Sequence, residues 1–289
     1  MHSSLDCFPC FARQALDAAR IVSDQPEMHE QILRRICLLA SEMDLNQSPV
    51  VMGQAIHRMV KEVSGNPDPY RAIKSRFNQL ALDLYPKVKR LVDQAPDPFD
   101  AAVRLAITGN SIDFGAYTSR DFNEASLHRM IDTVLLEPVS GDIAIFKQAV
   151  NRGGNILYLA DNAGEIIFDR LLIERLPLDR LTVAVRGIPI INDATMEDAR
   201  LAGITDLCTV IDNGSDAPGT LLDDCNKSFL GVFNQADLVI AKGQGNYETL
   251  SDVDNKAVFF LLKAKCPVIA AHLGCPVGRM IVMTGAHQS

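Results

Sequence analysis

No stretch of this 289-residue sequence approaches the run of ~20 apolar residues that a membrane-spanning helix needs. The opening residues, Met1 to Cys7, lack the basic region and apolar core of a secretory leader. The expectation is a cytoplasmic protein with no membrane partner. Basic clusters are missing as well: 28 Lys and Arg stand against 36 Asp and Glu, a net charge of -8 with no Lys/Arg stripe, which argues against nucleic acid as a partner. The six histidines form no ligand-spaced pair. Seven cysteines (Cys7, Cys10, Cys37, Cys208, Cys225, Cys266, Cys275) are too few, too scattered and odd in number for a disulfide framework, and they read as reduced thiols. Internal repeats and low-complexity segments are absent.

What is present is an ordinary globular composition, 47% hydrophobic and 22% charged, organised around one stretch from Gly153 to Glu165. Four apolar residues, Ile156 to Leu159, are bounded by Gly-Gly before and Asp161-Asn-Ala-Gly164 after. This is the pattern of a strand covered on both faces. Apolar residues at Ile166, Ile167, Leu171, Leu172 and Leu176 then recur at helical spacing. In open α/β sheets ligands gather beyond the carboxyl ends of strands, which is where Asp161 and Asn162 fall.

Residues 1–150 read as five or six helices, with apolar positions at helical spacing in Ala12–Val22, Ile32–Met43, Val50–Val63, Tyr70–Val92 and Phe99–Ile107, punctuated by Pro, Gly, Asn and Asp. No alternating strand interrupts them. Gly109-Asn-Ser-Ile-Asp-Phe-Gly115 breaks the pattern. From 151 to 289 short apolar runs alternate with helices: Ile156–Leu159, Leu181–Val185, Cys208–Ile211, Leu238–Ala241 and Val258–Leu262. The rhythm is βαβ, hence an α/β fold with a largely parallel sheet, and its polar run-ends share one edge.

Asp161, Asn162 and Asp193 form an oxygen-only set suited to a hard divalent ion, while the absence of nearby His or Cys disfavours zinc. The bland alternative makes Asp-Asn-Ala-Gly a turn and Asp193 a helix cap. Lys242-Gly-Gln-Gly-Asn-Tyr-Glu248 follows a strand, so its lysine and backbone amides could hold a phosphate. It matches neither the Walker loop nor the dinucleotide fingerprint. A haloacid-dehalogenase arrangement would open Asp-x-Asp after the first strand. Ala163 stands at that third position, which disfavours an aspartyl-phosphate and leaves Asp161 open as a nucleophile. Cys7-x-x-Cys10 has no preceding strand, so structural or weak metal roles outrank redox chemistry.

Taken together, Asp161-Asn-Ala-Gly-Glu165, Arg186-Gly-Ile-Pro-Ile-Ile-Asn-Asp-Ala-Thr195 and Lys242-Gly-Gln-Gly-Asn-Tyr-Glu248 resemble the signature of the damage-control phosphatases, the domain-of-unknown-function 89 or ARMT-like family. The likeness extends through Asp6-Cys-Phe-Pro-Cys10, Asp68-Pro-Tyr70, Gly109-Asn-Ser-Ile-Asp113 and Leu262-Lys-Ala-Lys-Cys-Pro267 to nearly the whole chain. The Cys-x-x-Cys start is similar to the prokaryotic subfamily. The resemblance implies a helical N-terminal part plus a three-layer α/β/α domain. It implies a metal-dependent phosphatase acting on a small phosphorylated metabolite, a sugar phosphate or a damaged or phosphopantetheine-like ester, with Mg, Mn, Co or Ni as cofactor. The metal ligands would be Asp161, Asn162 and Asp193. The catalytic groups would be Asp161, Lys242 and Glu165. Substrate would meet Lys242, Gly243, Gly245, Asn246, Asn110, Asp113, Arg186 and Asn192. An S-adenosylmethionine-dependent carboxyl methyltransferase and a non-catalytic metal or metabolite binder are the alternatives. Because Lys242 follows an apolar strand with no apparent apolar neighbour, the expectation is that Lys242→Ala damages catalysis far more than stability. Oligomeric state is not legible.

Overall fold

The computed structural model describes residues 1–109 and 133–285, within which lie eleven α-helices and seven strands. Asn110 and Asp113 lie outside the described residues, as does the tail beyond Gly285. Five helices come first: α1 (Cys7–Val22), α2 (Pro26–Ser41), α3 (Pro49–Ser64), α4 (Arg71–Asp93) and α5 (Pro98–Gly109). Their starts follow local chemistry. Pro26 and Pro49 occupy first-turn positions where no N–H is required, and the Ser48 hydroxyl accepts from the Val50 amide. Gly65 closes α3 in the left-handed region at φ 67°.

The seven strands are β1 (Val139–Gly141), β2 (Ile156–Leu159), β3 (Leu181–Val185), β4 (Thr209–Asp212), β5 (Leu238–Lys242), β6 (Val258–Lys263) and β7 (Met280–Thr284), and they form one sheet in the order β1-β7-β6-β5-β2-β3-β4. Strands β2 to β6 run parallel to one another, while β7 pairs antiparallel with β6 and parallel with β1. The connecting helices are α6 (Ile143–Arg152), α7 (Glu165–Ile173), α8 (Met196–Leu201), α9 (Lys227–Gln235), α10 (Gly243–Leu250) and α11 (Pro267–His272). Two strands escape the sequence reading. β1 has only three residues, and it lies inside the stretch read as helical almost throughout. β7 is the apolar run Met280–Thr284, outside the five runs read as strands. The run expected at Cys208–Ile211 is shifted by one residue.

Alternate residues of the buried strands face opposite layers, as the period of two requires. Ile156, Tyr158, Val183 and Ile240 pack with α4, α5 and α7, whereas Leu157, Leu159, Val239 and Phe260 pack with Phe229, Phe233, Tyr247 and Ile269 on the other face. Helices α1, α2 and α3 gather around a third apolar cluster. So α4 and α5 belong to the core of the sheet, and the division placed at residue 150 falls within α6. No described helix is long and apolar enough to cross a membrane.

Chain order reverses between β2 and β5: β3 lies on one side of β2, while β5 and β6 extend the other. That reversal opens a crevice beyond their carboxyl ends. Asp161 follows β2 into it, and Gly243 follows β5.

Candidate active site

The loop after β2 and the loop after β3 are sewn together. Ala194 N–H donates to the Asp161 carbonyl and Ala163 N–H to the Asn192 carbonyl, both at 2.8 Å, so Asn162 and Asp193 form an antiparallel bridge. The flanking residues carry the hydrogen bonds, which makes Asn162 and Asp193 the closely spaced kind of pair, with Cα atoms about 4.5 Å apart and side chains on one face. Two residues 31 positions apart thereby become neighbours. Ile191 turns the chain just before them at φ 40°, uncommon for a β-branched residue.

With Asp161 and Glu165 ionised, Asn162 has one orientation. Its Nδ2 donates to Asp161 Oδ2 and to Glu165 Oε2, each at 2.8 Å, which engages both amide protons and leaves Oδ1 without a hydrogen bond among the described residues. Asp193 takes the Arg186 Nε–H on Oδ2 at 2.7 Å, and its Oδ1 accepts nothing from the described residues. Asp161 lies against the start of α10. A side chain at Gly243 would place its Cβ 1.8 Å from Asp161 Oδ2, and Gly243 has φ +80°, so both space and backbone require glycine there.

Beneath this pair lies a second group. Lys242 is fully buried at the end of β5 and donates to the Ala106 carbonyl at 2.8 Å, to Glu165 Oε1 at 2.5 Å and to Asp169 Oδ1 at 2.6 Å. All three ammonium protons have acceptors. This corrects the expectation of a loop lysine waiting for an anion. Glu165 is likewise held at both oxygens, by Lys242 and by Asn162, so it orients the amide.

Others of the expected substrate contacts are engaged within the protein. Arg186 bonds Asp193, Thr220 and Asn246. The Asn246 amide donates to the carbonyls of Ala160 and Lys242. Gly245 is glycine because a Cβ would meet the Pro218 carbonyl at 2.0 Å, a packing reason unrelated to phosphate. Asn192 differs: its buried Nδ2 has no hydrogen-bond partner among the described residues. Sequence reading also missed Asn78, Asp169 and Asp198. Asn78 Oδ1 accepts the Gly164 N–H at 2.6 Å and its Nδ2 donates to Asp198 Oδ1 at 2.7 Å, while Asp198 Oδ2 caps Thr195. Their signal was a polar residue set in an apolar helical stripe, Asp169 between Ile166 and Leu172, and Asn78 between Phe77 and Ala81.

The electrostatics are lopsided. Asp161, Glu165, Asp169 and Asp193 gather around Lys242 and Arg186, so with all six ionised the acids exceed the bases by two charges. Burial drives the Asp161 carboxyl well above the usual range, Glu165 and Asp193 add to it, and Lys265 and Arg186 only partly oppose them. Asp193 is pushed up to about 6 by burial against the pull of Arg186. Asp169 is pushed up to about 7, again mainly by burial. Burial alone would lower Lys242, but Asp169 and Glu165 outweigh it and raise it. Among the described residues no three His, Cys, Asp or Glu side chains converge as a ready ligand set.

The sequence model of the damage-control phosphatase ARMT1-like domain matches residues 3–281. The chain belongs to this family. A damage-control phosphatase of Pyrococcus horikoshii is 35% identical, over 98% of each chain. One from Archaeoglobus fulgidus is 34% identical, over 95% of this chain and 96% of its own. An uncharacterised protein of Methanocaldococcus jannaschii is 37% identical, over 96% of this chain and 94% of its own. The crystal structure of the domain-of-unknown-function 89 protein from Pyrococcus horikoshii superposes with a TM-score of 0.89, covering 99% of both chains at 34% identity.

Proposed function

We propose that the chain is a phosphatase that hydrolyses a small phosphorylated metabolite with a divalent metal ion, Mg, Mn, Co or Ni, held by Asp161, Asn162 and Asp193. The observation that carries this reading is the pinned amide. Among the described residues Asn162 Oδ1 and Asp193 Oδ1, on the two sides of one bridge, are left without donors, within a cluster whose acids exceed its bases by two charges. Hard divalent ions take carboxylate and amide oxygens. When bound, such an ion supplies Lewis acidity toward a phosphoryl oxygen and lowers the pKa of an attacking water.

The protein's own groups do the rest. Glu165 holds Asn162 with its carbonyl free, and Lys242 holds Glu165. Arg186 fixes Asp193 by one oxygen and leaves the other available. The Asn192 amide, buried without a partner among the described residues, and the amide-rich start of α10 beside Asp161 receive phosphoryl oxygens. Asp161 is the carboxylate assigned to the attacking water or to direct attack, since Glu165 is engaged at both oxygens. The Cys7 and Cys10 pair supports placement in the prokaryotic subfamily, and seven unpaired thiols support a reducing, cytoplasmic setting.

The test is phosphate release from sugar phosphates and phosphopantetheine-type esters with each metal added in turn. Turnover is expected only with added metal, and undiminished hydrolysis in excess chelator overturns the reading.

A further inference from the structure

We propose that Lys74, on the helical part, is the cation that meets the substrate's phosphoryl oxygens, the role first given to Lys242; this assignment rests on the phosphatase reading above. Lys74 lies in the first turn of α4 and is only 5% exposed. The only acceptor its ammonium meets among the described residues is Asp68, at 2.9 Å. An ammonium carries three donors, so two are unengaged among those residues. Lys242 is the opposite case, with three acceptors around it.

The face of α4 that carries Lys74 is fixed on the site. One turn further on, Asn78 bridges Gly164 and Asp198, the flanks of the two candidate ligand loops. Between them Phe77 packs so closely that a Cβ on Gly164 would sit 3.2 Å from its own Cβ. Positions four apart share a helix face, so Lys74 lies on the side turned to these loops.

Charge counting is consistent with it. A divalent ion neutralises the four-acid cluster, with Arg186 and Lys242 already committed to acids. A phosphate monoester dianion entering that site adds two negative charges, and among the described residues Lys74 is a buried cation with donors to offer. Asp68 is 19% exposed in its side chain, so water can take its carboxylate when the lysine turns to substrate. A lysine whose work was only to pair Asp68 would not need burial, which carries a desolvation cost.

The experiment uses Mn²⁺-loaded protein and inorganic phosphate as the probe. In Lys74→Gln the dissociation constant for phosphate should rise about 10- to 100-fold, the loss of a charge-assisted hydrogen bond. Mn²⁺ affinity should change less than about threefold, since Lys74 is no ligand. Because the single variant leaves Asp68 alone, Lys74→Gln with Asp68→Asn removes both charges and guards against misfolding. The double variant should keep the phosphate defect. Phosphate affinity within about twofold of wild type in either variant overturns the assignment. A wild type that neither hydrolyses esters nor binds phosphate sinks the phosphatase reading and this assignment with it, whereas wild-type binding with unaffected variants sinks the assignment alone.

Discussion

Two charged groups lie one above the other at the carboxyl edge of β2 and β5, and they differ in what they have left over. In the lower group Lys242 gives all its protons to Ala106, Glu165 and Asp169. In the upper group the Asn162 and Asp193 side chains are oriented by bonds on one atom and, among the described residues, bare on the other. Saturated polar contacts hold shape, and oriented but unsaturated ones have acceptors left to offer. The lesson is that residue type does not decide which lysine or carboxylate is functional. The count of unengaged valences does.

The sharpest break in the comparison is Asp161→Asn. It deletes a carboxylate whose charge is crowded by Glu165 and Asp193, so the fold should lose nothing measurable, while turnover falls by about 10³-fold or more, roughly 4 kcal/mol of barrier. Asp193→Asn should match it in turnover and also lose stability, because Arg186 is then buried without its carboxylate. Equal stability of the two variants, measured by denaturant unfolding, would contradict the arrangement described.

Next in size is Lys242→Ala, for which the structure reverses the sequence-based expectation. Removing the cation leaves Glu165 and Asp169 facing each other in a buried space. The expected cost is about 3–5 kcal/mol of stability, the range for breaking a buried ion pair. Activity should fall as a consequence of that loss and of a released Asn162. An unchanged melting temperature would restore Lys242 to the role of waiting anion receptor.

Much of the architecture is legible in the chain itself. Strands β2, β3, β5 and β6 and helices α3 and α4 appear where their apolar spacing places them, because burial on two faces or one stripe writes a period into the chain. Asp161 and Asn162 at a strand end are legible for the same reason. Lys242 is misread from sequence because its partners Glu165 and Asp169 lie 77 and 73 residues away, beyond the reach of any local pattern. Strand β1 is missed because Val-Ser-Gly carries no periodicity, and pairing with β7 alone makes it a strand. Asn78 and Lys74 are missed because a polar residue beside an apolar stripe looks like ordinary helix surface until the opposing loop is in place.

The smallest effect is expected from the motif most visible in the sequence. Cys7 and Cys10 sit in the first turn of α1 and line, with Cys266, Gln244 and Glu248, a cavity of about 590 Å³ beside α10. Burial raises the Cys7 thiol above its ordinary pKa, and it raises Cys10 as well, so neither is a ready thiolate. The hydrogen bonds that orient Asn162 and Asp193 come from Asp161, Glu165 and Arg186, with no part taken by either thiol. Replacing both cysteines with serine should therefore leave kcat/KM within about tenfold, under roughly 1.4 kcal/mol of barrier. The cost should appear in stability instead, about 1–3 kcal/mol, because Cys7→Ser buries a hydroxyl where a weakly polar thiol packs against Phe11 and Ala15. Metal content, kcat/KM and unfolding free energy of the double variant separate the cases: a loss of turnover of about a hundredfold together with loss of a bound metal would make the cysteines part of the chemistry and extend the site across α10.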